Sequence, residues 1–421
     1  MRVVTSSRYV FGVCAVAAML AGCGGGSTPL TPPVSEVAAE STHALLAYDV
    51  LYSFQGRPKG GEGPSEALVN VNGTLYGTTD YGGKHGDGTV FAITTSGKET
   101  VLYSFEGGLT DGANPSAPLI NVKGTLYGAT SYSGANAKGV IFAITTSGKE
   151  TILYSFKGGS TDGAKPSGAL LNLNGTLYGT TVSDGSSSCG GGGCGTVFSI
   201  TTSGKELVRY SFKGGKTDGQ NPNGGLVNVD GKLYGTTNGG GANDKGVIFA
   251  ITTSGKETVL HSFKGADSDG QSPDAGVIYV NGKLYGTTTG GGHCQFDPSQ
   301  GCGTVFATTL SGAETVLHDF GNGADGAVPQ SALLDMNGAL YGTTVSGGNS
   351  SGWGTLFEIS TSGKERVLHR FTPRGGAGYY PVASLINVNS TLYGTATAGG
   401  LGYCGSDGTD PGCGIVFALT P

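Results

Sequence analysis

Six cysteines stand in three close pairs, Cys189/Cys194, Cys294/Cys302 and Cys404/Cys413, and Asp-Gly steps begin at Asp111, Asp162, Asp218, Asp269 and Asp325. Thiols at such spacing make either a disulfide or part of a zinc site. Each pair brackets an insertion within one segment, and only His293 lies beside a pair, which favours three local disulfides in an oxidising compartment. By loop closure, each short bridge adds somewhat less than ~3 kcal/mol. The Asp-Gly steps offer carboxylates to calcium, with Asp267-Ser268-Asp269-Gly270 nearest to such a loop, but the distal Glu of an EF-hand is missing. The other reading is an Asx turn, in which Asp accepts from its own main chain. His261, His318 and His369 could do acid–base or metal work. They replace the tyrosine seen at Tyr52, Tyr103 and Tyr154 of a recurring LYSF phrase, which points to a structural role. Gly348 to Gly352 fits G-x-S-x-G and Gly190 to Gly195 fits G-x-G-x-x-G, but neither opens the helix its motif requires. These residues imply no metal, no cofactor and no catalytic group.

The elements that must carry these residues are written in repeats. GTVFAITTSGKETVLYSF runs from Gly88 to Phe105, and close copies begin at Gly139, Gly195, Gly246, Gly303 and Gly354. A seventh copy begins at Gly414 and stops halfway, while its missing half, YDVLYSF, sits at 48–54. LYG recurs at Leu75, Leu126, Leu177, Leu233, Leu284, Leu340 and Leu392, a period of 51 to 56 residues. Each unit holds four strand-like runs; in the first they are 67–71, 74–79, 88–95 and 99–105. Asn72-Gly73 between the first two is a hairpin signal, repeated at Asn174-Gly175, Asn281-Gly282 and Asn337-Gly338.

Seven four-stranded units without helical periodicity predict an all-β chain folded as a seven-bladed β-propeller. In a ring, 50–54 pairs with 414–420 as the outer strand of blade 7, so the propeller, residues 47–421, is closed by an N-terminal outer strand and leaves no open edge. An open solenoid would need polar capping repeats, and none is visible. Gly77 and its equivalents read as places where a neighbouring blade comes close. Asn70, Asn121, Asn172, Asn228 and Asn387, with Tyr279 and Asp335 in the same place, either line a polar channel or satisfy backbone groups near the centre of the ring.

The 81 glycines punctuate these strands, and with only 13% charged residues the chain does not read as disordered. Residues 1–22 carry Arg2 and Arg8, then an apolar run too short to span a membrane, then Leu-Ala-Gly before Cys23, which resembles a lipoprotein signal. Residues 23–46 are a Gly/Ser/Pro tether. Cys23 is the expected lipidation site and Cys14 lies in the signal, so no free thiol is left over. Gly24 after the cysteine implies an exported lipoprotein at the outer membrane or cell surface. The formal charge of −6 argues against nucleic acid.

DGANPSAPLINVKGTLYGAT followed by GVIFAITTSGKETILYSF resembles the bacterial GloVer tandem repeat, a choice-of-anchor family, over about 48–421. The resemblance implies a surface or exported protein held by an anchor; it brings no defined activity and no catalytic residues.

Closing the ring brings distant aromatic residues to one set of loops. Trp353, Tyr403, Tyr81 and Tyr132 fall in the loops between second and third strands of blades 6, 7, 1 and 2, and Tyr379 and Tyr380 lead into blade 7. Blades 3 to 5 offer only Phe296 there. The expectation is an aromatic arc that stacks on sugar rings or anchors a protein; the alternative is that these rings fold back over glycine-rich loops. The function expected is a monomeric, non-enzymatic binding module for a glycan or protein partner, against a propeller hydrolase or lyase acting on glycans, or a scaffold. An enzyme needs a polar cluster that breaks the sevenfold pattern, and none stands out in the sequence.

Overall fold

Seven antiparallel sheets, six of four strands and one of five, build the ring together with four two-stranded ribbons, and among the described residues four short 3₁₀ turns are the helical pieces. The computed structural model describes residues 46–421 apart from 59, 266–268, 295–300, 322, 349–351 and 405–409. The expected signal, Cys14, Cys23 and nearly all of the tether lie outside the described residues, as do Asp267, Ser268 and Phe296.

Blade 1 shows the common plan. Val69–Val71, Thr74–Thr79, Thr89–Thr94 and Glu99–Ser104 pair in sequence order. Asn72 and Gly73 turn the first hairpin with φ of 53° and 85°, the left-handed pair that a two-residue turn demands. Blade 7 takes three strands from one end of the chain, Ile386–Val388, Thr391–Ala396 and Ile415–Thr420, and its outer strand, Ala47–Ser53, from the other. Ala47 pairs with Thr420 and Ser53 with Ile415. In blade 1 the third and fourth strands slip register between Val90 and Phe91, passing over Leu102; the split strand slips at the equivalent place and passes over Leu51. It is a true fourth strand, bulge included. The innermost strands touch around a closed circuit, with Ile386–Val388 of blade 7 against Val69–Val71 of blade 1.

The seams between blades are built from phenylalanine. The last residue of each LYSF phrase packs edge-to-face on the phenylalanine of the next blade's third strand: Phe105 on Phe142 at 5.2 Å, Phe212 on Phe249 at 5.1 Å, Phe371 on Phe417 at 5.3 Å. Phe54 of the split strand makes the same contact with Phe91, at 5.0 Å, and both are fully buried. Gly77 lies directly across from Phe91, and a Cβ there would come within 2.6 Å of that ring and 2.8 Å of Leu68. The crowding that demands glycine thus comes from the same blade, not from its neighbour as the sequence led us to expect. The ring covers its own blade's glycine and takes the next contact from the preceding blade.

Removing a buried phenylalanine costs about 3–5 kcal/mol. Phe54→Ala should therefore lower unfolding stability in urea by that amount, matching Phe212→Ala at a seam without a split strand. A loss under about 1 kcal/mol for Phe54→Ala alone would show that the N-terminal strand does not seal the ring in solution.

Candidate functional site

All six paired cysteines are bridged within their own loops, Cys189 to Cys194, Cys294 to Cys302 and Cys404 to Cys413, leaving none of these thiols for zinc. The GxGxxG match overlaps the 3₁₀ turn Ser187–Gly192, and the GxSxG match runs largely through residues outside those described.

The Asp-Gly carboxylates turn inward. Asp111 is 5% exposed; it accepts from Tyr103 Oη at 2.9 Å, from the Glu106 amide at 2.7 Å and from the Gly112 amide at 2.7 Å. Asp162 and Asp218 repeat this pattern with Tyr154 and Tyr210. Asp269 keeps both amide contacts, and His261 Nε2 lies 3.5 Å from its carboxylate in place of the tyrosine. His318 sits 3.2 Å from Asp325 in the same way. His369 stacks flat on Tyr48 at 3.7 Å, and burial lowers it to about 4. The Tyr–Asp and His–Asp pairs tie the outer strand to the loop that follows it, whereas His369 packs on the outer strand of blade 7. The recurrent Asn70, Asn121 and Asn172 are exposed and accept from the amides of Gly73, Gly124 and Gly175, and Asp335 does the same for Gly338. They cap hairpin turns.

Convergent chemistry lies elsewhere, where seven loops meet. Each blade's innermost strand is preceded by a proline, and the residues after it surround a central mouth of about 390 Å³. Ser65, Ser116, Ser167, Asn223, Asp274, Gln330 and Val382 face it, one from each blade. Ser167 Oγ donates to Asn223 Oδ1 at 2.5 Å, Asn223 Nδ2 donates to Asp274 Oδ1 at 2.8 Å, and Asn238 Nδ2 reaches the same oxygen at 3.3 Å. Beside the mouth runs a groove of about 430 Å³ between blades 1 and 2, lined by Ser65, Glu66, Asp80, Tyr81, Asn114, Ser116 and Tyr132 among others. Ser65, Glu66 and Ser116 belong to both hollows, so the groove opens into the mouth.

The groove holds two carboxyl groups that burial raises by unlike amounts. Burial, and then the Asp80 charge, raises Glu66 to about 8. Burial raises Asp80 to about 6, opposed by a hydrogen bond from Ser65 Oγ at 2.5 Å. The sequence reasoning missed this pair, although a signal existed. In the Glu66 column the other blades carry Ala117, Gly168, Gly224, Ala275, Ser331 and Ala383; in the Asp80 column they carry Ser131, Val182, Asn238, Thr289, Val345 and Thr397.

The aromatic residues fall into two groups. Tyr81 and Tyr132 are 54% and 49% exposed, flank the groove, and occupy a column with no other aromatic residue; Lys165 Nζ lies 5.5 Å from the Tyr132 ring. Trp353 packs on Tyr379 at 4.9 Å and on Tyr380 at 5.6 Å, and both Trp353 and Tyr379 lean on the core between blades 6 and 7. Tyr380 is 36% exposed. Tyr403 pairs its backbone with Pro411 beside the blade 7 disulfide.

The model of the Gloeobacter/Verrucomicrobia repeat matches residues 39–191 and 187–409. The chain belongs to that repeat family. No curated protein matches it. Among solved structures, the computationally designed Ika8 protein superposes with a TM-score of 0.46 at 13% identity, covering 87% of this chain and 98% of that one. A luciferin-regenerating enzyme gives 0.41 at 13% identity over 89% and 95%. The PQQ-bound aldose sugar dehydrogenase of Streptomyces coelicolor gives 0.43 at 14% identity over 89% and 98%.

The repeat also builds a titration into its seams. Glu150, Glu206, Glu257 and Glu314 begin outer strands and are raised to about 7, first by burial and then by Asp111, Asp162, Asp218 and Asp269 from the preceding blade. A folded pKa above the ordinary 4.5 means that the native state holds the proton more tightly, so this stability is complete below about 4.5 and is lost as pH rises through about 7. His369, lowered to about 4, acts oppositely, but its loss is centred below pH 6.5. Melting temperature should rise between pH 8 and pH 5.5, and the triple variant E150Q/E206Q/E257Q should flatten the profile. A wild-type melting temperature that falls over this interval would contradict a seam whose glutamates are held protonated by burial.

Proposed function

We propose that the protein is an exported glycan-binding propeller, held to the outer membrane or cell surface through Cys23, whose binding face is the loop side of blades 1 and 2. One observation carries the ligand class. Tyr81 and Tyr132 stand on adjacent blades, half exposed, at the two sides of a groove whose remaining walls are mostly hydroxyl, amide and carboxyl groups. Sugar rings present apolar faces to aromatic side chains and hydroxyls to polar ones, so this pairing suits them. Three intraloop disulfides and membership of the repeat family support an extracytoplasmic setting. No helix among the described residues is long and apolar enough to cross a membrane; the anchor we propose, a lipid on Cys23, rests on the signal-like sequence before it.

A glycan array probed with the full chain tests the reading. Tyr81→Ala and Tyr132→Ala should each weaken the strongest hit by more than about 1 kcal/mol, roughly fivefold or more in Kd, while Trp353→Ala leaves it unchanged. Loss with Trp353→Ala alone would move the site to the aromatic cluster of blades 6 and 7, and no retained glycan at all would reject the ligand class.

A further inference from the structure

The two carboxyl groups in the groove stand where the sevenfold repeat is broken twice at one place. Glu66 and Asp80 come from different segments, the loop before the innermost strand and the end of the second strand, yet both line the hollow that Tyr81 and Tyr132 flank. Their frames are fixed from several sides. Thr395 Oγ1 of blade 7 donates to the Glu66 carbonyl at 3.4 Å. The Asp80 amide donates to the Gly63 carbonyl at 3.0 Å, and Asn114 Nδ2 of the segment leading into blade 2 donates to the Asp80 carbonyl at 3.0 Å. Ser65 Oγ donates to the Asp80 carboxylate. The hairpin caps, the Asp-Gly turns and the seam glutamates recur from blade to blade; an acid at these two places occurs in blade 1 alone. Nothing in the repeat requires acids here, because six blades fold with small or neutral residues at the same positions.

We propose that this groove hydrolyses a glycosidic bond, with Glu66 as the general acid and Asp80 as the general base. The proposal rests on the glycan reading of the groove. The hydrogen bond from Ser65 Oγ favours the ionised form of Asp80, while burial and the Asp80 charge favour the protonated form of Glu66, so one residue can give a proton as the other takes one. With a sugar stacked between Tyr81 and Tyr132, the Glu66 hydroxyl transfers its proton to the glycosidic oxygen as the bond from that oxygen to the anomeric carbon breaks. The Asp80 carboxylate takes a proton from a water molecule whose oxygen forms the new bond to that carbon. The products are a hemiacetal and an alcohol; proton exchange with solvent returns Glu66 to its acid form and Asp80 to its carboxylate. No redox change occurs and no cofactor is needed.

The test uses the full chain with a fixed panel of xylan, mannan, mixed-linkage glucan, pectin and peptidoglycan, read in two ways: retention in affinity electrophoresis and release of reducing ends. We expect at least one polymer to be both retained and cleaved, with a bell-shaped rate between about pH 6 and pH 8. Glu66→Gln and Asp80→Asn should each lower that rate about 100-fold or more while keeping retention and melting temperature, and Asp335→Asn, at an exposed hairpin cap where other blades carry asparagine, should leave the rate unchanged. Retention without cleavage by the wild type would overturn the catalytic proposal and leave the binding site standing. Absence of both would overturn the two together, and cleavage that survives Glu66→Gln would remove the assignment.

Discussion

One ring-on-ring contact governs this architecture. A phenylalanine at the end of each outer strand meets, edge to face, a phenylalanine in the middle of the next blade, and seven such contacts close the circuit. The receiving ring is locked because it lies over a glycine on its own neighbouring strand, where any larger residue would collide with it. Geometry of this kind is worth about 0.5–1.5 kcal/mol per pair beyond the area buried. Its larger effect is positional, since each blade's tilt is set by the blade before it. The Asp-Gly turns complete the joint with hydrogen bonds to the outer strand, and the half-buried glutamates beside them repeat almost as faithfully.

A scaffold specified this redundantly leaves certain positions free. The side chains after each proline and those after each second strand take no part in the phenylalanine contacts, and they vary from blade to blade, while backbone carbonyls after the proline are still tied to the preceding blade, as Glu66 is to Thr395 and Ala275 to Thr236. Variation there produces the asymmetric mouth: serines on one side, an amide–carboxylate chain from Ser167 to Asp274, and the acid pair with its two tyrosines between blades 1 and 2. Function on such a frame is a departure from the repeat and not a property of it.

That division explains what could be read from the residues alone. Repeat period, turn chemistry and the split unit all report on the seam, which is written seven times, so the propeller and its closing strand were legible before any coordinates. The loop disulfides were legible because their partners are near in sequence. Gly77 was read as a spacer between blades because a one-dimensional pattern does not distinguish a ring lying over a glycine within the sheet from one arriving from outside. Glu66 and Asp80 escaped notice since they lie fourteen positions apart on separate segments, and only the curl of the loop onto the strand end brings them together. Trp353 reads as a free surface ring by position, yet the fold gives it Tyr379 and Tyr380 as neighbours and presses it toward the core.

Closure also sets an order in time. The first strand of the ring to leave the ribosome, Ala47–Ser53, pairs with Ile415–Thr420, so it must wait unpartnered until that distant strand has been made. Contacts between such distant parts of a chain form late and slowly. Glu66 lies just beyond that waiting strand; its carbonyl is held by Thr395 of blade 7, and the neighbouring Gly63 amide donates to the Cys413 carbonyl. The wall of the groove that carries Glu66 is therefore tied to the closure of blade 7. A chain cut before Ile415 carries every residue of the groove but lacks the Cys413-side strand that closes blade 7 against Gly63 and Glu66.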